Sequence, residues 1–198
     1  MLSKVITISQ QKGGTGKTTL AVHLAMGFIK YHNFKVAVVD TDPQGSLGKW
    51  FMIRSEKKIP SDNLTFKTAS LWGAQYESKT LKKDHDIVII DTPPKIESDA
   101  RPSIEASDLV LIPMTPSHVD FWATEAIIDI ANFKDERGLK IAATARKLII
   151  PVNVQFAAER LMKSQGRIGT ADNDINPVKS LGVVPEGYHV NNYLTDTD

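Results

Sequence analysis

The 198-residue chain contains no cysteine, and it contains no apolar run long enough to cross a bilayer. Without cysteine there can be no disulfide, thiolate-bound zinc, iron–sulfur cluster or cysteine nucleophile. The charges nearly cancel, because 24 Lys and Arg residues accompany 23 Asp and Glu residues. A formal net charge of +1 gives no overall attraction to nucleic acid or to an anionic membrane. Internal repeats and Gly/Ser linkers are absent too, so we expect one cytoplasmic domain over residues 1–198.

Five short apolar runs are the strongest pattern in the sequence. They are apolar throughout rather than alternating, which is typical of strands buried on both faces of a parallel sheet. Apolar residues at helical spacing run from Lys17 to about Tyr31 and again from Val119 to Phe133. This alternation predicts an α/β fold with a doubly wound, mostly parallel sheet and helices on both faces. The predicted strands are Val5–Ser9, Lys35–Asp40, Asp86–Asp91, Leu109–Pro113 and Lys147–Val152.

The other stretches carry weaker patterns. Arg54–Lys67 is polar with poor periodicity, so we predict a loop there with one strand at Leu64–Thr68. Gly166–Ser180 is loop-like, and Leu181–Val184 is a candidate strand. No helical period is apparent in the residues after these.

A glycine-rich stretch, QKGGTGKTT at Gln11–Thr19, lies between the first predicted strand and the first predicted helix. Its glycines allow backbone N–H groups to converge on phosphate oxygens, and the helix N-terminus adds its dipole. Lys17 can reach β- and γ-phosphate oxygens, and the Thr18 hydroxyl can bind Mg²⁺. The usual motif has a glycine where Gln11 stands, and a glycine-rich turn with a solvated lysine is the alternative. The candidate nucleotide-binding residues here are Lys12, Gly13, Gly14, Thr15, Gly16, Lys17, Thr18 and Thr19.

Carboxylates follow the second and third predicted strands. Asp40 and Asp42 are two residues apart, so both can point off the strand end towards one site, and Pro43 restricts the turn. Asp91 ends the third strand after four apolar residues. A buried carboxylate there is costly unless it is paired, hydrogen-bonded or near a metal, and contact with Mg²⁺ through water would satisfy it. For Asp40 and Asp42 the alternative is a pair of helix-capping aspartates.

These parts are the ones that phosphoryl transfer requires: a cradle of N–H groups, a lysine, metal ligands and a carboxylate for the nucleophile. The sequence indicates no second substrate pocket, so water is the expected acceptor. The predicted reaction is therefore hydrolysis of ATP to ADP and phosphate, with Mg²⁺.

The loop KGGTGKTT resembles the deviant Walker A box of the ParA/MinD ATPases, and DTDPQG at 40–45 and DTPP at 91–94 resemble that family's acidic boxes. The resemblance implies that Lys12 reaches across a nucleotide-sandwich dimer to the phosphates bound by the partner. It also implies that Asp42 orients the attacking water and that Asp40 supports the water shell of Mg²⁺. Slow turnover, stimulated by a partner protein, would follow.

The segment LIPMTPS at 111–117 resembles the corresponding loop of small plasmid partition ATPases. By that resemblance Pro113 and Met114 lie near the adenine and the dimer interface, and Asn153 contacts the base. The alternative is that this segment is simply the end of a strand followed by Ser117 as a helix N-cap, and both interpretations can hold at the same time. The resemblance is close over residues 4–133 and loose over 138–198.

Two observations narrow the choice among the family's branches. The lack of cysteine disfavours the iron–sulfur and arsenite-binding members, and the acidic end of the chain cannot form the basic membrane helix of MinD-like ATPases. ParA-type partition ATPases remain, which implies a ParB-type centromere-binding partner, binding to nonspecific DNA, association with the nucleoid when ATP is bound, and no membrane contact. A ParA/MinD-like ATPase that positions a non-DNA protein cargo is the alternative.

Residues 134–167 hold the main local excess of charge, with eight basic and three acidic residues, a net of +5. Nonspecific DNA binding needs only several phosphate contacts, so this segment is the candidate DNA surface, and a solvated helical face is the alternative. Residues 166–198 have two basic and five acidic residues. The candidate DNA contacts are Arg146, Lys147, Arg160, Lys163 and Arg167.

Overall fold

The computed structural model describes residues 3–60, 62–70, 72–94, 101–113, 148–151, 186 and 188–191. The chain forms two compact units, residues 1–127 and 128–198, and the single domain predicted for 1–198 stays a prediction. The strands are β1 (Lys4–Ile8), β2 (Val36–Asp40), β3 (Leu64–Thr68), β4 (Ile87–Asp91), β5 (Leu109–Leu111), β6 (Leu148–Pro151) and β7 (Tyr188–Asn191). The helices are α1 (Lys17–His32), α2 (Ser46–Glu56), α3 (Ala74–Leu81) and α4 (Arg101–Glu105).

The first unit contains a parallel sheet of five strands in the order β3-β2-β4-β1-β5. On one face Ile8 of β1 packs with Ala25 of α1 and Leu47 of α2. On the other face Val88 of β4 packs with Leu81 of α3. Burying apolar side chains on both faces requires strands that are apolar throughout, which explains their pattern. The predicted α/β fold with a doubly wound parallel sheet is confirmed.

The register of the central strands brings their carboxyl ends to one level. Asp91 at the end of β4 pairs with Ile8 of β1 on one side and with Asp40 of β2 on the other. The residues that follow these three strands therefore meet at one edge of the sheet, where open α/β sheets bind their ligands.

Three helices of the first unit, α2, α3 and α4, were not predicted, and the loop predicted from Arg54 is wrong for the last residues of α2. Leu47 is the one residue of α2 that is fully buried, so the helix has little apolar period. Helix α3 has eight residues and buries Ala74, Ser78 and Leu81, so Leu81 is the one large apolar side chain on its buried face. The strand predicted at Leu64–Thr68 is confirmed as β3.

Of the second unit the structure describes β6 and β7, which pair in parallel from Leu148–Tyr188 to Pro151–Asn191. The strand predicted at Lys147–Val152 is confirmed over the described residues Leu148–Pro151 as β6, but it pairs with β7, which was not predicted, in a sheet separate from the five-stranded one. The predicted helix Val119–Phe133, the loop Gly166–Ser180 and the strand Leu181–Val184 lie outside the described residues. No helix within the described ranges is long and apolar enough to span a membrane.

Candidate nucleotide-binding site

The loop between β1 and α1 has the backbone of a phosphate cradle. Gly14 and Gly16 have φ values of 76° and 83°, a left-handed conformation that side chains other than glycine adopt at a cost. Helix α1 begins directly after Gly16, so its unpaired N–H groups and positive dipole end face the loop. A Cβ placed on Gly13, Gly14 or Gly16 would meet no atom within 4 Å, so the space beside the loop is open.

Lys17 is a cation held inside this loop rather than on its surface. Its side chain is buried, and Nζ donates a hydrogen bond to the carbonyl oxygen of Lys12 at 3.2 Å. Burial lowers the pKa of Lys17, while the negative charges of Asp91 and Asp42 oppose that shift. A buried ammonium beside open space gains from an anionic ligand, which is the role that the sequence predicted for it.

Thr18 and Asp91 form the contact that joins the loop to β4. The Thr18 hydroxyl donates to Oδ2 of Asp91 at 2.7 Å, whereas the buried Oδ1 of Asp91 has no hydrogen-bond partner among the described residues. Burial raises the pKa of Asp91 to about 6, the Thr18 hydrogen bond and Lys17 lower it, and the charges of Asp40 and Asp42 raise it further. A hydroxyl beside an unsatisfied carboxylate oxygen is a donor set that fits Mg²⁺.

The side chain of Asp40 caps the start of helix α2. Its Oδ2 accepts from the N–H of Gly48 at 3.0 Å, in the first turn of α2, and its Oδ1 accepts from the N–H of Asp42 at 3.1 Å. Burial raises the pKa of Asp40, and the hydrogen bonds from Gly48, Asp42 and Leu47 oppose the rise. The capping alternative is therefore realised for Asp40, and its predicted support of a metal stays a prediction.

Asp42 lies half-buried at the edge of an open cleft of about 690 Å³ beside α2. Its Oδ1 accepts from the N–H of Gln44 at 2.9 Å, a local turn that holds the side chain without a helix cap. No described residue donates a hydrogen bond to the other carboxylate oxygen of Asp42. The cleft is lined by Asp40, Thr41, Asp42, Pro43, Gly45, Gly48, Lys49, Met52, Phe66, Thr68, Ala69, Ser70 and Trp72.

Two threonines that were not predicted as site residues form hydrogen bonds between the ends of neighbouring strands. The Thr41 hydroxyl and N–H both donate to the carbonyl oxygen of Asp91, at 2.8 and 3.0 Å. The Thr92 hydroxyl donates to the carbonyl oxygen of Ile8 at 2.8 Å. Both threonines directly follow a strand-ending aspartate, so the repeated Asp-Thr pair was the available signal. These bonds hold the backbone beneath the two acidic boxes.

Gln10, also missed, is fully buried at the start of the loop. Its Nε2 donates to the carbonyl oxygen of Pro113 at 3.1 Å, and its Oε1 accepts from the N–H of Gln11 at 2.8 Å. A sequence does not show whether a glutamine side chain forms hydrogen bonds inside the protein through both its amide oxygen and its amide nitrogen or points into water.

The other predicted residues are placed as follows. Lys12 is exposed, and its carbonyl oxygen accepts from the Thr15 hydroxyl at 3.4 Å as well as from Lys17. Thr19 is exposed on α1, and Pro113 is half-buried after β5. The predicted base contacts Met114 and Asn153 and the five predicted DNA contacts lie outside the described residues. The structure thus brings Lys17, Thr18, Asp91, Asp40 and Asp42 to one edge of the sheet.

Comparisons with known proteins agree with this geometry. The family described as the CobQ/CobB/MinD/ParA nucleotide binding domain matches residues 6–196. The chain is 28% identical to maintenance of carboxysome distribution protein A of Halothiobacillus neapolitanus over 152 residues, 70% of this chain and 62% of the relative. It is also 28% identical to the sporulation initiation inhibitor protein Soj of Bacillus subtilis over 167 residues, 66% of this chain and 64% of Soj.

Among solved structures, the chain resembles a proposed plasmid partition protein of Borrelia burgdorferi B31 bound to AMPPNP. The TM-score is 0.52 at 25% identity, covering 64% of this chain and 69% of that one. The chain spans less than two thirds of the length of the two curated relatives above. The match of the family over residues 6–196 means that this chain belongs to the CobQ/CobB/MinD/ParA nucleotide-binding family.

Proposed function

We propose that this chain is a Mg²⁺-dependent ATP hydrolase that changes between a monomer and an ATP-bound sandwich dimer. The observation that carries the proposal is the contact between Thr18 and Asp91. One carboxylate oxygen accepts the threonine hydroxyl, and the other is buried without a partner among the described residues. The buried Lys17 lies in the same loop, so a cation for phosphate is next to hard oxygen ligands for a metal.

Thr18 and Asp91 are the residues that would hold Mg²⁺, the hydroxyl directly and the carboxylate through water. Within the described ranges no group of three or more His, Asp or Glu side chains is arranged to hold a metal by itself. Mg²⁺ usually takes one or two protein ligands and completes its shell with phosphate oxygens and water. When bound, the ion would stabilise the negative charge that develops on the transferred phosphoryl group.

The remaining roles follow from charge and position. The N–H groups of the loop bind the phosphates, and Lys17 neutralises charge on their β and γ oxygens. Asp42 accepts a hydrogen bond from the attacking water and orients it, while its turn with Gln44 keeps the carboxylate in place. Asp40 supports this arrangement by fixing the turn and the start of α2.

The dimer is proposed from Lys12, which is exposed at the edge of the loop. In the proposed sandwich, Lys12 of each protomer contacts the phosphates bound by the other, so hydrolysis requires ATP-dependent dimerisation. Lys12→Ala should then abolish both, while ADP binding to the monomer persists. Lys30→Ala, an exposed lysine at the far end of α1, is the matched control.

The proposed biological role is partition of a plasmid or chromosome, with a ParB-type centromere-binding protein and nonspecific DNA. The second candidate is the positioning of a protein cargo, and the relative named for carboxysome distribution favours it. A small DNA-binding protein encoded beside this gene would support partition. ATP-dependent, salt-sensitive retention on duplex DNA, reduced by Arg160→Ala with Lys163→Ala, would support the DNA contact. Retention that is absent or independent of ATP at low salt would contradict it.

Hydrolysis by the purified full chain, compared with Asp42→Asn, tests the proposed reaction. Asparagine keeps an oxygen for the N–H of Gln44, so the turn is preserved while the charge that orients water is removed. We expect hydrolysis to fall by about 100-fold or more with nucleotide affinity within about threefold. Asp62→Asn, in the exposed loop before β3, should leave both unchanged. Unaltered hydrolysis in Asp42→Asn would refute the proposed role of Asp42, and no hydrolysis by the unmodified chain, alone or with DNA and partner, would refute the proposed reaction.

A further inference from the structure

The side-chain amide of Gln10 connects two segments that are 103 residues apart in the sequence. Its carbonyl oxygen Oε1 accepts from the N–H of Gln11, the first residue of the phosphate loop. Its amino group Nε2 donates to the carbonyl oxygen of Pro113, two residues beyond the end of β5. The Gln10 side chain is fully buried. A buried amide group without a hydrogen-bond partner lowers the stability of the fold, so the folded state strongly favours keeping both hydrogen bonds.

The position of this amide along the sheet gives it a particular role. The pairing of β1 with β5 ends at Ile8 and Leu111, and the N–H of Ser9 makes the next bond to the carbonyl oxygen of Leu111. One residue further, β1 turns into the phosphate loop and backbone pairing gives way to the Gln10 side chain. Gln10 therefore continues the link between the two segments into the region where the loop binds phosphate.

The phosphate loop uses its backbone N–H groups as ligands, so the orientation of its first peptide affects every later one. Oε1 of Gln10 sets that orientation at Gln11, while Nε2 holds the exit of β5, defined here as Ile112–Pro113. A displacement of the loop by a bound polyphosphate would be carried to this exit through one rigid planar amide.

We propose that Gln10 is a positioning residue that sets the phosphate loop for nucleotide and transmits the occupancy of the loop to the exit of β5. It touches neither the phosphates nor the water in the proposed reaction. The inference rests on the proposed function in one respect, that the loop binds the phosphates of a nucleotide.

The experiment measures hydrogen exchange of the full chain in peptides covering the loop (9–17) and the exit of β5 (104–113). ADP and inorganic tripolyphosphate are the two probes. Tripolyphosphate has no base or ribose, so a change that it causes at 104–113 does not depend on contacts between those groups and this segment. In the unmodified chain we expect both probes to slow exchange in both peptides.

Gln10→Met keeps the size of the side chain and removes both bonds. We expect it to weaken ADP binding by about tenfold, the effect of one lost hydrogen bond. At saturating tripolyphosphate its loop peptide should still be protected, while the response of the 104–113 peptide should be clearly smaller, because only the backbone bond from Ser9 to Leu111 then remains of the link at this point. Gln10→Glu loses the donor to Pro113 and places a buried negative charge next to the phosphate loop, so it should weaken ADP binding by at least as much as Gln10→Met does. Gln75→Glu, the same substitution on α3, is the matched control and should change neither readout.

Three outcomes would overturn the proposal. The first is a 104–113 peptide in the unmodified chain that ignores tripolyphosphate while the loop peptide responds, and this stands even if Gln10→Met does not fold. The second is a folded Gln10→Met variant with unmodified affinity and response, and the third is a folded Gln10→Glu variant with unmodified ADP affinity. A loop peptide that responds to neither probe would instead refute the proposed nucleotide site itself.

Discussion

The Thr18 hydroxyl donates to Oδ2 of Asp91 across 73 positions of sequence, at 2.7 Å, and leaves Oδ1 of the same carboxylate buried and without a partner among the described residues. The fold therefore buries a carboxylate of which one oxygen accepts a hydrogen bond and the other has no partner among the described residues. An unsatisfied buried charge lowers stability, and such groups are typical of functional sites. Three of the four predictions below concern this carboxylate and its neighbour Asp40.

Asp91→Asn should stabilise the protein without ligand. The pKa of Asp91 is raised to about 6 by burial, so the fold disfavours the ionised form. The cost is present above pH 6, shrinks as the pH falls through 6, and is gone only below about pH 3, where the carboxyl is protonated in both states. Asparagine removes that cost, so we expect a gain on the order of 1–3 kcal/mol at pH 8 and little near pH 4. Urea unfolding at both values measures it, with loss of Mg²⁺-dependent hydrolysis as the accompanying effect.

The matched control for this variant is Asp86→Asn, at the other end of β4, where Oδ2 accepts from the N–H of Lys35. It should bring no gain in stability at pH 8. A stability of Asp91→Asn equal to or below that of the unmodified chain at pH 8 would contradict the prediction.

Thr18→Val should act in the opposite direction. Removing the hydroxyl takes away the hydrogen bond that stabilises the ionised carboxylate, so the pKa of Asp91 should rise further. We expect a loss of about 1–2 kcal/mol of stability at pH 8 and a smaller loss near pH 5, since more of Asp91 is then protonated. Titration of the Asp91 carboxyl by NMR measures the pKa directly, and Thr18→Ser, which retains a hydroxyl, should titrate like the unmodified chain. An unchanged titration in Thr18→Val would show that the hydrogen bond does not act on Asp91.

Asp40→Ala separates capping from metal binding at that position. The variant leaves the N–H groups of Gly48 and Asp42 without their acceptor, so we expect a loss of about 1–2 kcal/mol at pH 8. If Asp40 acts as a cap alone, the Mg²⁺ concentration needed for half-maximal hydrolysis will not change. A rise of tenfold or more in that concentration would instead support the predicted metal role.

Asp108→Asn tests a carboxylate of the opposite kind, away from the site. Burial acts to raise the pKa of Asp108, but hydrogen bonds from the N–H of Val5 and from Lys82 and Lys4 outweigh it and hold the pKa below its usual value. Stability from this group is present at neutral pH and is lost as the pH falls through the lowered pKa. We expect Asp108→Asn to lose about 0.5–1 kcal/mol at pH 7, less in high salt, since the ion pairs are partly exposed. Urea unfolding in low and high salt checks this, and Asp84→Asn, an exposed aspartate after α3, should have no such effect.

Most of the fold could be predicted from sequence because the central strands are buried on both faces and must be apolar throughout. Helix α1 was predictable for a similar reason, since its apolar residues recur at helical spacing beneath a glycine-rich loop. Helices α2 and α3 were missed because each has a single large apolar side chain among its buried residues, Leu47 in α2 and Leu81 in α3, and α4 because it has five residues.

The sequence alone predicted the parts of the candidate site, because a glycine-rich loop with Lys17 and Thr18, followed by two strand-ending aspartates, is a local pattern with a local physical reason. Tertiary structure decided how those parts are used. Only the strand register brings Asp40 and Asp91 side by side, and only packing shows that Asp40 caps α2 while Asp91 keeps an oxygen without a described partner. Burial and long-range hydrogen bonds depend on residues far away in the chain, as the bond from Gln10 to Pro113 illustrates, and no local pattern encodes them.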